Sequence, residues 1–387
     1  MKNKIALTLI SFLANFIMAG FASQFGMLIE PIAGRYNTDI NTVASIFSLL
    51  NGGALAGTIA AFFLIEKIGV KRMTLIIYSF VFISAVAMHL SSVLWIVMVS
   101  MTVVGFCGGI GLCVAGTIVV SVWKDRIQST MLVVQDATFN VAGVVFPLVT
   151  TFALTHNMSW SYSYLTVGMV ALLTLGIVTL TRFSPCDESQ ATSTSSSETV
   201  KSEWNPGIIS GGVGLFLGML ALYTFLTWAP LFVKSKFDIP FEEAGNIITQ
   251  YWAAALIGAL VSTVIVARVS IHYFLLSIIL LACIITTVIV SKDNLSGLDY
   301  LAYSYGFVCA ALYNAFIAYG VSFVKRASSQ NVSYILISGS AGAMFSPAIS
   351  ALMEKTLGLQ KIMYAIPILY MIIFIMLLST LKFKKTT

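Results

Sequence analysis

The chain has 387 residues, of which 58% are hydrophobic and 9% charged, with a mean hydropathy of +0.95 and a net charge of +6. A water-soluble domain carries about 25% charged residues, so this composition cannot cover a surface that faces water. The basic residues lie in short segments between apolar runs, which points to membrane topology and away from nucleic acid.

Apolar stretches of a length that crosses about 30 Å of hydrocarbon recur from end to end. Backbone groups find no partner in lipid, so such stretches are helices or closed barrels. Continuous apolar runs, rather than alternating segments of about 10 residues, exclude a barrel. The first run follows Lys2 and Lys4 and reaches about Leu28, longer than the apolar core of a signal peptide (about 7–15 residues), so it reads as a span. Further spans are predicted at 42–65, 73–91, 93–122, 131–154 and 160–182. A second set follows at 207–233, 243–267, 271–291, 299–324, 332–353 and 361–381. The polar, Ser/Thr-rich stretch between the sets reads as a flexible linker. The expected domains are therefore an N-terminal six-helix bundle at 1–183, a cytoplasmic linker at 184–205 and a C-terminal bundle at 206–387.

Orientation follows from counting Lys and Arg. With the N-terminus inside, the cytoplasmic segments hold 15 and the external segments 6, as the positive-inside rule requires. Twelve spans then place both termini in the cytoplasm. The halves also echo each other. Gly105-Phe106 in the fourth span matches Gly306-Phe307 in the tenth, and Lys124 matches Lys325 at the same offset of 201. Ala142-Gly143-x-x-Phe146-Pro147 in the fifth span resembles Ala341-Gly342-x-x-Phe345-Ser346-Pro347 in the eleventh. Such matches predict an all-α membrane protein of two pseudo-symmetric halves related by an axis along the membrane normal.

Of the 15 acidic residues, only Asp136 sits well inside a predicted span. A charge at the bilayer centre costs about 2.5–3.5 kcal/mol on insertion scales, so it is expected to face the bundle interior or a cavity. Gln135 is adjacent, and Asn140 and Gly143 follow at i+4 and i+7 on one stripe. Low dielectric favours the neutral form of a carboxyl group, which suits reversible protonation. Asp136 is the candidate for proton coupling; the plainer alternative is a carboxylate that caps or bridges helices near the cytoplasmic mouth. Candidate substrate ligands are Gln135, Asn140, Asn15, Gln24 and Asn51 in the first half, and Tyr223, Trp228, Gln250, Trp252 and Asn314 in the second. Amides and aromatic rings suit a small polar ligand, and equally suit hydrogen bonding between helices. Span 4 carries Gly105-x-x-x-Gly109, a close-packing surface. The five cysteines show no C-x-x-C pair and the three histidines are scattered, so no disulfide framework, metal site or cofactor is expected.

Glu66-Lys67-Ile68-Gly69-Val70-Lys71-Arg72, after span 2, resembles the signature loop of the major facilitator superfamily. The resemblance implies that Glu66, Arg72 and Asp125 form a cytoplasmic charge cluster that steadies one gate state. Glu66 stands where that family usually has Asp, Phe62 where it has Gly, and the matching loop of the second half keeps almost none of the pattern. Phe47-x-x-x-Asn51-x-Gly53, Asp136…Ala142-Gly143-x-x-Phe146-Pro147 and Trp228-x-Pro230…Ala244-Gly245…Trp252 are similar to the TsgA-type branch, which lies near the fucose/proton symporters. Those symporters carry acidic residues in spans 1 and 4; neither span has one here, so sugar specificity does not carry over. Span 5 also lacks the G-x-x-x-G-P pattern of drug antiporters.

These observations predict a secondary transporter, not an enzyme, in the cytoplasmic (inner) membrane. It is expected to act as a monomer on a small polar solute, coupled to protons and working by alternating access. Efflux of toxic compounds is the alternative of the same kind. A channel or a transporter-like receptor is the alternative of another class, although no ring of like charges or filter motif is present.

Overall fold

The computed structural model describes residues 2–183, 204–324 and 328–380; within these, the side chains of Lys2, Asp125, Arg126, Ser129, Val133 and Ser329 lie outside the description. The first half contains α1 (Lys2–Ser23), α2 (Phe25–Tyr36), α3 (Ile40–Ile68), α4 (Val70–Leu90), α5 (Leu94–Val122), α6 (Asp125–Thr155) and α7 (Ser161–Leu180). The second contains α8 (Pro206–Phe237), α9 (Phe241–Ala244), α10 (Asn246–Val266), α11 (Ile271–Ser291), α12 (Leu298–Cys309), α13 (Leu312–Val321), α14 (Ser329–Leu357) and α15 (Leu359–Thr380). Among the described residues there are 12 membrane-length apolar helical spans, each overlapping one expected from the sequence.

Local chemistry explains the ends. Asn205 caps α8 by accepting from the Ile208 N–H, and Pro206 follows at the first helical position, where its missing N–H costs nothing. Ser328 and Asn331 form a reciprocal capping box at the start of α14. Asn37 ends α2 in the left-handed region at φ 48°, and Asp238 ends α8 at φ 52°. These residue types tolerate that conformation when the chain must turn out of a helix.

By contact, the chain forms two compact units, Met1–Asp39 with Leu49–Ser197 and Ile40–Ser48 with Glu198–Thr387. In the first, α1 packs against α5, α6 and α7, and α4 against α5 and α7. In the second, α8 packs against α13, α14 and α15, α10 against α12, and α11 against α15. The expected linker falls on 184–205, of which 184–203 lies outside the described residues.

The two units repeat each other at the level of backbone contact. A Cβ on Gly57 of α3 would land on the carbonyl oxygen of Phe106 in α5, and one on Gly258 of α10 would land on that of Phe307 in α12. A Cβ on Gly105 would strike the Leu50 carbonyl, and one on Gly306 the Tyr251 carbonyl. All four pairs of positions, like Asn37 and Asp238, differ by 201. The Gly105/Gly306 correspondence in the sequence is therefore a conserved geometry: two helices approach until only hydrogen fits between their backbones.

Candidate functional site

In the first unit, α1 meets α6 along a polar seam. Asn15 is buried and donates from Nδ2 to the Gln135 carbonyl at 3.0 Å. Ser11 Oγ lies 3.0 Å from Gln135 Oε1 and 2.9 Å from the Ala115 carbonyl oxygen. Further along α1, the fully buried Gln24 marks the break before α2. Its Nε2 donates to the Gly20 carbonyl at 2.7 Å, and its Oε1 accepts from the Thr150 hydroxyl of α6. Polar atoms of three candidate ligands, Asn15, Gln24 and Gln135, are thus committed to neighbouring helices. Asn51 is buried on α3.

Asp136 turns away from that seam. Gln135 is buried against α1, whereas Asp136, one residue on, is exposed along the flank of α6, with half-buried Asn140 one turn later and buried Gly143 after it. The carboxylate and amide therefore share a stripe on an intramembrane helix.

At the cytoplasmic end expected from the charge count, Glu66 closes α3 and Arg72 opens α4, both exposed, and among the described residues no ion pair joins them. Lys71 instead donates to the Thr181 carbonyl at 2.8 Å, tying the signature loop to the end of α7. Asp125 begins α6, but its side chain lies outside the described residues.

In the second unit, Trp228 is fully buried and donates from Nε1 to Ser350 Oγ of α14 at 2.8 Å. Thr224, one turn earlier, pairs with Ser346 at 2.9 Å. This seam mirrors the first: Thr150 and Ser350 each follow a helix proline, Pro147 or Pro347, by three residues. The repeated proline is legible in the sequence, and a hydroxyl three residues behind it is the signal that marks the seam.

The tenth span is discontinuous. α12 stops at Cys309 and α13 restarts at Leu312, so the ladder is interrupted near the middle of the span Leu298–Val321. Irregular backbone at membrane depth is tolerated where it is buried in protein or lines a cavity. Half-buried Tyr313 and exposed Asn314 follow the break. Tyr223 of α8 is half-buried. Trp252 stacks edge-on to Tyr251, with ring centroids 5.2 Å apart. Tyr251 abuts Tyr305 at 5.6 Å, and the Tyr305 and Tyr370 hydroxyls pair at 2.8 Å. Gln250 donates to Asp299 Oδ1 at 2.7 Å, towards the opposite end of its helix from Val266. Tyr251, Tyr305, Tyr313 and Tyr370 were absent from the sequence-derived candidates, because a tyrosine in an apolar run looks like core until its neighbours are known.

Twelve apolar helices in twice-repeated units, with polar side chains and a broken helix at membrane depth, define a multi-pass membrane transporter. The family model described as Major Facilitator Superfamily matches residues 8–347, and the chain belongs to that family. It is similar to the protein TsgA homolog of Yersinia pestis (strain Pestoides F), with 26% identity over 386 residues covering 99% of this chain and 97% of the relative. The TsgA homolog of Buchnera aphidicola subsp. Acyrthosiphon pisum (strain APS) is 23% identical over 372 residues, covering 96% and 95%. Among solved structures, the nucleoside transporter NupG superposes with a TM-score of 0.78 at 12% identity, covering 99% of this chain and 100% of that one. A partially occluded inward-open conformation of the xylose transporter XylE from E. coli superposes with a TM-score of 0.75 at 11% identity, covering 97% and 99%. At those identities the solved structures establish the fold alone.

Proposed function

We propose that this protein is a proton-linked carrier that takes up a small, neutral, polar solute across the cytoplasmic membrane by alternating access. In this reading it acts as a monomer, with both termini in the cytoplasm and six-helix bundles at 1–183 and 206–387 joined by the linker 184–205. The observation that carries it is Asp136, an acidic side chain well inside a span, displayed beside Asn140 on the flank of α6 that turns away from the α1 seam. Carboxylates so placed mark proton or substrate routes. An anionic solute is disfavoured, because the middle sections of the described spans hold no Lys or Arg to pair with it, and a neutral one leaves the Asp136 carboxyl group to the proton. Recognition in the second unit is assigned to Tyr223, Tyr313 and Asn314 around the break in the tenth span, with Trp252 supplying a further ring. Phenols and an amide offer hydrogen bonds to hydroxyl-rich solutes and flat faces for their apolar sides. NupG and XylE, titled nucleoside and xylose transporters, make nucleosides and sugars the first compounds to try. Glu66, Arg72 and Asp125 are assigned to the cytoplasmic gate.

The test is uptake by purified protein in proteoliposomes, screened over labelled nucleosides and monosaccharides with an inward proton gradient. Saturable accumulation that collapses with a protonophore is expected. Flux that never saturates would indicate a channel, and accumulation only by inside-out oriented protein would indicate efflux.

A further inference from the structure

Asp136 stands between two residues of α6 that α1 holds. Asn15 grips Gln135 twice: its Nδ2 donates to the Gln135 carbonyl at 3.0 Å, and its Oδ1 accepts from Gln135 Nε2 at 3.4 Å. Ser11, one turn earlier on α1, has its Oγ 3.0 Å from Gln135 Oε1 and 2.9 Å from the Ala115 carbonyl oxygen of α5. Beyond Asp136, the Thr138 hydroxyl lies 3.2 Å from the Phe12 carbonyl of α1 and 2.6 Å from the Gln135 carbonyl of its own helix. Each hydroxyl has one hydrogen and faces two acceptors, so Ser11 and Thr138 are adjustable tethers. Asn15 uses a separate donor and acceptor, which makes it the fixed clamp. Thr150 reaches Gln24 only further along α6, beyond Pro147, a residue that interrupts the helical ladder. The segment around Asp136 therefore depends on the Asn15 seam for its hold on α1.

We infer that Asn15, assisted by Ser11 and Thr138, is a positioning residue that sets the rotation of α6 and so presents the Asp136 carboxylate on the open flank. Successive residues of an α-helix are turned by about 100°. Holding Gln135 against α1 therefore carries Asp136 round to the side, where it is exposed while Gln135 is buried. Turning α6 to bring Asp136 onto α1 would strip the Gln135 amide, Asn15 and Ser11 of their partners at a depth where no water replaces them. The seam thus resists rotation in a way that an apolar contact, which has no direction, does not. The consequence for coupling rests on Asp136 as the proton-carrying group; the hold on its orientation does not. In this reading Asn15 acts through the carboxylate and not on the solute.

The experiment uses full-length protein in proteoliposomes, with native cysteines replaced and Asp136→Cys introduced as the target of a water-soluble thiol reagent. Ala142→Cys, at a buried position of the same helix, is the control. Asn15→Leu keeps the bulk and removes the clamp, and is expected to lower labelling of the Asp136→Cys chain several-fold while the Ala142→Cys chain stays protected. Ser11→Ala with Thr138→Val should lower it by less, and this pair carries the test should Asn15→Leu fail to fold. A rise at both cysteines would mean that the seam merely keeps α6 folded, and would overturn the inference. Labelling that ignores the variants, or an Asp136→Cys chain that never reacts, would overturn it too. With Asp136 intact, the Ser11→Ala, Thr138→Val pair is expected to cut proton-driven accumulation of a transported nucleoside or monosaccharide several-fold, with KM and counterflow at equal pH unchanged. Ser11→Thr with Thr138→Ser keeps both hydroxyls and is expected to retain accumulation, which a mere packing defect would not predict. Lower labelling with accumulation intact would keep the positioning and remove Asp136 from coupling; accumulation lost with labelling unaltered would count against the positioning itself.

Discussion

Gln24 and Trp228 each pair with a hydroxyl that follows a helix proline by three residues, Thr150 after Pro147 and Ser350 after Pro347. Hydrogen bonds between membrane helices contribute about 0.6–2 kcal/mol. A double-mutant cycle of Trp228→Phe with Ser350→Ala, measured by unfolding in detergent, is therefore expected to give a coupling energy of about 0.6–2 kcal/mol. If Trp228 bound solute instead, the coupling would vanish and KM would rise. Asp136 calls for the opposite kind of effect. Asp136→Asn cannot take up a proton, so net uptake driven by a proton gradient should fall to background and lose its rise towards acidic pH, while counterflow at equal pH persists. A variant that still accumulates solute against its gradient would end the assignment. The sequence singled out Asp136 because one carboxylate among apolar residues is visible without coordinates. It could not separate Asn15, Gln24 and Gln135, whose polar atoms are taken by other helices, from Asn140 on the open flank. Both groups are amides in apolar runs, and only neighbouring helices distinguish them.

Among elements, the close approaches of α3 to α5 and of α10 to α12 are the most exacting feature of each unit. Gly57 and Gly258 face a backbone carbonyl, which cannot rotate aside as a side chain can. Gly258→Ala and Gly57→Ala should each destabilise the protein by about 1–3 kcal/mol, the usual cost of overpacking. Gly116→Ala on α5 is the control, because nothing lies within 4 Å of its added Cβ. Equal melting temperatures for Gly57→Ala and Gly116→Ala would refute the packing argument. The interrupted tenth span belongs to the same scale. Ala310 and Ala311 are strong helix formers by propensity, so no sequence rule places a break there. It arises where α12 is held against α10 at Gly258, whose Cβ would meet Phe307 and Ala310.

At the scale of the molecule, the twofold repeat is the premise of alternating access, because two similar units supply two similar states. A carrier of this kind gives flux that saturates with solute and reverses with its gradients. Counterflow, in which unlabelled solute inside drives labelled solute in, should therefore occur with no proton gradient at all. A protein that passes solute without counterflow is a channel, whatever its fold. Replacing the linker 184–205 by a flexible Gly/Ser segment of equal length should leave uptake unaltered, since that segment is assigned only to joining the bundles. Loss of uptake with normal folding would show a role for the linker itself.

Membrane residence, the number of spans and the duplication of the halves were fixed by the amino-acid sequence alone. Hydrocarbon leaves the backbone no partner but itself, so length and apolarity suffice to make a helix, and an offset of 201 residues survives as matching letters. Which polar side chains hold helices together, where the tenth span breaks and which unit takes the outer end of α3 were decided only by tertiary structure. Those outcomes depend on which carbonyl, hydroxyl or ring arrives from a helix distant in the chain, and a one-dimensional pattern does not record that arrival.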